Sequence, residues 1–248
     1  VVPFYDARLT AGLAQEAEAA GWDGIFVADL VWGVDAWVQL TAAAMVTERI
    51  RLGTMLTPLP WKQPWKLAGE VSALDNLSGG RVILSVGMGA PDAGARGFFV
   101  PEDRKVRAQL LDEGLDVLQG LWSGEPFSYE GRHYRVQPTE FEPPPPPLQR
   151  PRVTTWCVGA WPREKSMARV LRCDGLIAAR IGPEGAGQAT REELPEIMAW
   201  VRERRQGGQN RVKLMFAEPG YPTSQIPFAA ITQIVASFRQ PGDDIISH

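Results

Sequence analysis

Along the chain, short β-branched runs alternate with longer stretches whose apolar residues recur every three or four positions, a pattern of strands interleaved with amphipathic helices. The first helical stretch covers 9–20, stops at Gly21, and leads into the strand Gly24-Ile25-Phe26-Val27-Ala28-Asp29, which ends on an acid. Asp35 caps a second helix running to Val46, and a strand over 50–56 follows. Pro64 suits the first turn of a third helix, which reaches Leu77 and stops at Gly79-Gly80 before the apolar strand over 82–86. Over 105–122, Val106, Leu110, Leu111, Leu115, Leu118 and Leu121 line one side of the clearest helix.

After Trp122 the period changes. Residues 127–136 alternate with period two around Glu130-Gly131, which predicts an inserted β-hairpin, and the five prolines of 143–147 form a stiff connector. Alternation then resumes with strands over 153–158, 175–179, 212–216 and 244–246, and helices over 162–172, 192–205 and 226–238. With Val1-Val2-Pro3-Phe4 as the first strand, eight strands are assigned. The expectation is an α/β fold, a (β/α)8 TIM barrel forming a single domain over 1–248, with a hairpin and proline-rich insertion at about 125–150, after the fourth helix. No residues are left for a last helix, and the chain begins without Met, so further natural sequence is expected beyond the ends given.

Composition narrows the function classes. With 44% hydrophobic residues and nine Trp in 248 residues, the chain can bury a sizeable core. Its 26 basic and 29 acidic residues nearly balance, so neither a nucleic acid nor an anionic membrane is an expected partner. Cys157 and Cys173 with His133 and His248 do not make a zinc quartet, and no metal site is expected. No apolar run reaches the roughly 18–20 residues of a membrane span, and no signal-peptide layout is present, so a cytoplasmic protein is expected.

Two glycine-rich runs imitate nucleotide loops and fail. Gly87-Met88-Gly89-Ala90-Pro91-Asp92 has Asp92 where a dinucleotide fingerprint needs its third glycine; its two glycines either admit a flat or anionic ligand or simply make a turn. The run over 182–190 has Gln188 where a phosphate loop needs lysine. A third run, Val158-Gly159-Ala160-Trp161-Pro162-Arg163-Glu164-Lys165, reads as strand end, turn and helix start. If Pro162 opens the helix, Arg163 and Lys165 stand in the first turn and cradle a phosphate, or are solvated surface charges. Asp29 ends a strand where barrel sites gather, and either serves the chemistry or caps a turn. Trp32, Trp61, Trp65, Trp161 and Phe98 suit a planar ring or the core.

Three segments carry a family resemblance: the run from Arg49-Ile50-Arg51-Leu52-Gly53-Thr54 through Pro60, Leu74-Asp75-Asn76-Leu77-Ser78-Gly79-Gly80-Arg81 leading into Gly87-Met88-Gly89, and Leu111-Asp112-Glu113-Gly114-Leu115 before Leu121-Trp122-Ser123-Gly124. The chain resembles the bacterial luciferase-like flavin-dependent monooxygenases over nearly its whole length. That resemblance implies a barrel binding FMN, or the deazaflavin coenzyme F420, at its C-terminal mouth. It implies a non-prolyl cis peptide at Met55-Leu56, with Thr57 completing the bulge under the ring. It also places Gly87, Met88 and Gly89 beside the ring or phosphate, and Gly159, Ala160 and Trp161 at the phosphate tail.

Two departures stand out. Relatives commonly carry Asp-His after strand two, where this chain has Asp29-Leu30, and Met88 stands where the luciferase catalytic subunit has a phosphate-binding arginine. The leading expectation is a monooxygenase using reduced FMN, supplied by a flavin reductase, and dioxygen on a small organic substrate. F420-dependent hydride transfer is the alternative, and a non-catalytic flavin-binding barrel or partner subunit a third; a homodimer is expected.

Overall fold

The computed structural model describes residues 6–31, 33–89, 98, 103–139, 146–182, 185–205, 213–215 and 233–236. The helices are α1 (Ala7–Ala19), α2 (Ala36–Ala44), α3 (Pro64–Leu77), α4 (Arg104–Trp122), α5 (Glu164–Val170) and α6 (Leu194–Arg204). The strands are β1 (Gly24–Val27), β2 (Arg51–Thr54), β3 (Thr57–Pro58), β4 (Val82–Gly87), β5 (Phe127–Glu130), β6 (Arg135–Thr139), β7 (Thr154–Trp161), β8 (Gly175–Gly182), β9 (Gly185–Gln188), β10 (Lys213–Met215) and β11 (Gln233–Ala236). The main sheet runs in the order β10-β8-β7-β4-β2-β1-β11, and its first six members are parallel. Successive parallel strands joined by helices give a curled α/β sheet whose middle strands, β1 and β4, are buried at every residue.

Local chemistry sets the helix starts. Asp6, Asp35 and Asp103 each turn a side-chain oxygen onto an amide three residues ahead, at 2.7, 2.9 and 2.8 Å, and so cap α1, α2 and α4. Pro64 opens α3, as its fixed φ favours.

The N-terminal ends of the strands are tied by buried polar groups. The Arg81 guanidinium donates to the carbonyls of Ala44, Thr47, Ile50 and Ser78 and to Thr47 Oγ1, which fastens the end of α2 to the start of β4. Gln149 donates to Asp75 Oδ1 and to the carbonyl of Val82, and its Oε1 accepts from Thr154. This closes the proline-rich return path onto β7.

Several expectations are corrected. The strand over 50–56 is interrupted: β2 ends at Thr54, Met55-Leu56 is a non-prolyl cis peptide, and β3 resumes beside β4. The helix expected over 162–172 shrinks to α5, with Arg163, not Pro162, in the N-cap position, and Trp161-Pro162 is a cis peptide. The hairpin turn opens over residues 131–134, because the Glu113 carboxylate on α4 accepts the amides of Arg132, His133 and Tyr134. The helix expected over 226–238 contains β11 instead, antiparallel to β1. Ile234 and Val235 favour an extended chain, and the edge of β1 supplies the unpaired amides and carbonyls it joins. Six parallel strands and an antiparallel neighbour of β1 therefore replace the closed ring of eight parallel strands among the described residues. The strands expected over 1–4 and 244–246 lie outside them.

Candidate functional site

The C-terminal ends of β1, β2, β4 and β7 lie side by side, and most of the expected site residues occupy them. Asp29 follows β1 and its side chain is only 2% exposed. Lys62 Nζ, just beyond the 3-10 turn Leu59–Trp61, donates to Asp29 Oδ1 at 2.9 Å. Asp29 Oδ2 is shut off from solvent and receives no hydrogen bond of good geometry, although the Thr57 hydroxyl lies close enough to favour the charged carboxylate. Burial pushes the Asp29 carboxyl above the ordinary carboxylate value, and the Lys62 ammonium pulls the other way without cancelling it.

The turn after β2 stands between this pair and β4. The amide of Met55 donates to the carbonyl of Val27 at 2.7 Å, so the cis Met55-Leu56 bond starts level with the end of β1. Thr57 Oγ1 donates to Thr54 Oγ1, which in turn donates to the carbonyl of Ser85, and all three residues are fully buried. Met55, Leu56 and Thr57 are thus held by both neighbouring strands rather than by a loop.

At the two glycine turns, the space left by the missing side chains is used by the protein itself. A Cβ at Gly87 would sit 2.8 Å from Leu56 Cδ2, and one at Gly89 would sit 2.7 Å from the Trp61 ring. Met88 packs against the core between them. At the end of β7, a Cβ at Gly159 would meet Leu176, Met167 and Val170 at 2.7–2.8 Å, so this glycine lets α5 lie close on the sheet. The amide of Ala160 donates to Ser166 Oγ at 3.0 Å. Arg163 and Lys165 are exposed beside Glu164. That turn offers a ligand two surface cations, but neither the space at Gly159 nor the amide of Ala160.

Among the described aromatic residues, Trp61, Trp65 and Trp161 each meet a different partner. Trp61 covers Gly89, Trp65 meets Tyr134 of the hairpin edge-on at 6.2 Å, and Trp161 meets Trp200 at 6.5 Å. Phe98 is 43% exposed, and Trp32 lies outside the described residues.

Two cations, Lys62 at the site and Arg107 on α4, escape a reading of the sequence. Lys62 sits in an unremarkable Trp-Lys-Gln-Pro run, and its signal is only that Asp29, once buried, needs a counter-charge. Arg107 had a visible signal. It falls three and four positions before Leu110 and Leu111, and it is buried whereas Val106, expected on that stripe, is half-buried. Among the described residues no cluster of acids, histidines and cysteines is arranged to hold a metal ion, and no helix is long and apolar enough to cross a membrane.

The model of the luciferase-like monooxygenases matches residues 5–217. The chain belongs to this luciferase-like family. A provisionally named coenzyme F420-dependent oxidoreductase of Mycobacterium tuberculosis is 32% identical over 187 residues, 71% of this chain and 52% of that protein. An F420-dependent glucose-6-phosphate dehydrogenase of Nakamurella multipartita is 32% identical over 151 residues, 56% of this chain and 44% of that protein. Among solved structures, the monooxygenase RslO1 of Streptomyces bottropensis is 25% identical with a TM-score of 0.68, covering 80% of this chain and 59% of its own. An F420-dependent secondary alcohol dehydrogenase, solved with an F420-acetone adduct, shares the fold at a TM-score of 0.70 and 19% identity, covering 85% of this chain and 64% of its own. The luciferase-like chain spans about half the length of these curated relatives.

Proposed function

We propose that this chain is a two-electron oxidoreductase that acts on a small organic substrate, with a tricyclic cofactor resting against the turn after β2 and with coenzyme F420 as that cofactor. The observation that carries the ring site is Asp29 Oδ2, a buried carboxylate oxygen with no hydrogen bond of good geometry at the end of a parallel strand. Such an atom calls for an N–H group. Flavins and deazaflavins present one on their pyrimidine edge, flanked by carbonyls that suit an ammonium such as Lys62. The residues present therefore fit the group.

Asp29 and Lys62 would hold that polar edge, and Met55, Leu56 and Trp61 would keep water from the ring. When bound, the cofactor supplies the hydride chemistry that no side chain of the protein possesses. The choice of F420 is supported by the two 32% identical relatives named for it.

A second reading, reduced FMN with dioxygen and a separate flavin reductase, is supported by the 25% identity to the monooxygenase RslO1. Titrating the protein with each oxidised cofactor, followed by fluorescence, tests the ring site. Asp29→Asn should weaken whichever binds, and failure of both to bind overturns the proposal. Anaerobic F420 reduction by small alcohols against oxygen uptake with reduced FMN then separates the two chemistries.

The reading extends to a pair of chains. The outer faces of α2 and α3 expose Val38, Met45, Trp65 and Leu77, an apolar surface that suits a second copy. Light scattering on the wild type and on Met45→Glu checks this, with a dimer expected only for the former.

A further inference from the structure

We propose that Arg107 is an oxyanion-binding residue at the rim of this site, receiving either the phosphate of a bound cofactor or a carboxylate of the substrate. Arg107 is 7% exposed, and its Nε and Nη1 are buried without an acceptor. A guanidinium is always charged, and an unpaired buried one is among the least tolerated arrangements in a protein interior.

The acids of its own helix are committed elsewhere. Asp103 caps α4 through Val106, Asp112 is held by Arg169, Asp116 by Arg172, and Glu113 accepts three hairpin amides. Asp29, the buried acid of the site, is taken at Oδ1 by Lys62.

Position gives the orphaned charge a use. Arg107 lies on the buried stripe of α4 with Leu110, Leu111 and Gly114, and a Cβ at Gly114 would stand 2.9 Å from Leu59, the first residue of the turn that carries Trp61 and Lys62. Arg107 is two helical turns from that contact, toward the end of α4 that follows β4. That end faces the C-terminal ends of the strands, and the helix dipole adds partial positive charge there. Met88 itself brings no charge to the end of β4, and the turn after β7 has spent its Ala160 amide on Ser166. Arg107 brings to the rim a planar donor fork suited to phosphate or carboxylate.

The cofactor arm of this proposal rests on the reading above; the anion arm does not. The first measurement is the melting temperature of the full chain in sodium sulfate against sodium chloride at equal ionic strength. Sulfate should raise it for the wild type and not for Arg107→Met, with partial recovery in Arg107→Lys. Without sulfate, Arg107→Met should melt no lower than the wild type, because it removes an uncompensated buried charge.

The second measurement compares FMN with riboflavin, and F420 with its phosphate-free chromophore, by fluorescence titration. A preference for the phosphorylated form of about tenfold, abolished in Arg107→Met with the phosphate-free affinity unchanged, assigns the site to the cofactor's phosphate. Loss of the sulfate effect with that preference intact assigns it to a substrate carboxylate. If sulfate stabilises both proteins equally, or Arg107→Met melts lower in its absence, the proposal is overturned. If no cofactor binds the wild type, the reading of the ring site fails while the sulfate comparison still decides on Arg107.

Discussion

Lys62 Nζ and Asp29 Oδ1 meet at 2.9 Å across 33 residues of chain, and the contact joins the end of β1 to the turn that leads into α3. Asp29 is sealed from water whereas the Lys62 side chain is 26% exposed, so the pair has one costly member and one that can relax outward.

Removing the lysine should therefore destabilise the fold more than the pair stabilises it. Lys62→Met is expected to lose about 3 kcal/mol in urea unfolding at neutral pH, because it leaves an uncompensated buried carboxylate. The sign of the pH dependence follows. A carboxyl whose folded pKa lies above its unfolded value favours the native state fully below the unfolded value, and this contribution is lost as pH rises through the folded one. The burial-driven rise at Asp29 grows when Lys62 is gone. The loss should shrink toward pH 4 and vanish in the double variant Lys62→Met with Asp29→Asn. A pH-independent loss would mean that the lysine matters only through its packing.

Glu18 should show the opposite profile. Partial burial raises its carboxyl, but the amides of Ile50, Arg49 and Glu48 outweigh that and hold it below the usual range. A depressed folded pKa stabilises above the unfolded value, and this contribution is lost as pH falls through the folded one. Glu18→Gln is therefore expected to lower the melting temperature at pH 7 and to match the wild type near pH 3. Thermal melts across that range check it.

The middle of the fold was legible because its signals are local. Asp35, Pro64 and Gly79-Gly80 mark ends of helices, and the apolar runs at Gly24–Val27 and Val82–Gly87 are the buried parallel strands. The ring site was half legible. Asp29 and the Met55-Leu56 turn announce themselves by position and by family resemblance, whereas Lys62 becomes relevant only through a partner 33 residues away. The strand Gln233–Ala236 was misread because four residues carry too little periodicity to separate a strand from a helix, and its pairing with β1 is a tertiary choice. Gly87 and Gly159 show the same limit: a glycine at a strand end does not reveal whether a ligand or a neighbouring Leu56 or Leu176 fills the space beside it.

Arg81 tests the opposite end of the strands. Its guanidinium serves four carbonyls and the Thr47 hydroxyl, all buried, and a lysine has neither the reach nor the planar fork to serve them together. Arg81→Lys should cost about 2–3 kcal/mol, the penalty for leaving buried acceptors unpaired. Cofactor affinity of the folded fraction should stay unchanged, because this network lies at the end of the sheet remote from Asp29. Paired denaturation and fluorescence titrations separate the two effects, and a loss of affinity at full folding would contradict the division of labour between the two ends of the parallel strands.

Gly89 offers a sharper test of the rim. Its φ is 68°, in the left-handed region, and an added methyl would meet the Trp61 ring at 2.7 Å and Pro58 Cβ at 2.9 Å. Gly124 has φ 78° with nothing within 4 Å of the same atom. Gly89→Ala and Gly124→Ala therefore share a backbone penalty of about 1 kcal/mol, and only the first adds a steric collision. Because Trp61 precedes Lys62, relief of that collision must move the segment that holds the Asp29 counter-charge. Gly124→Ala should lose stability alone. Gly89→Ala should lose about 1–3 kcal/mol more, together with cofactor affinity measured by fluorescence titration. Equal affinities in the two variants would show that the Trp61 and Lys62 segment does not touch the bound ring.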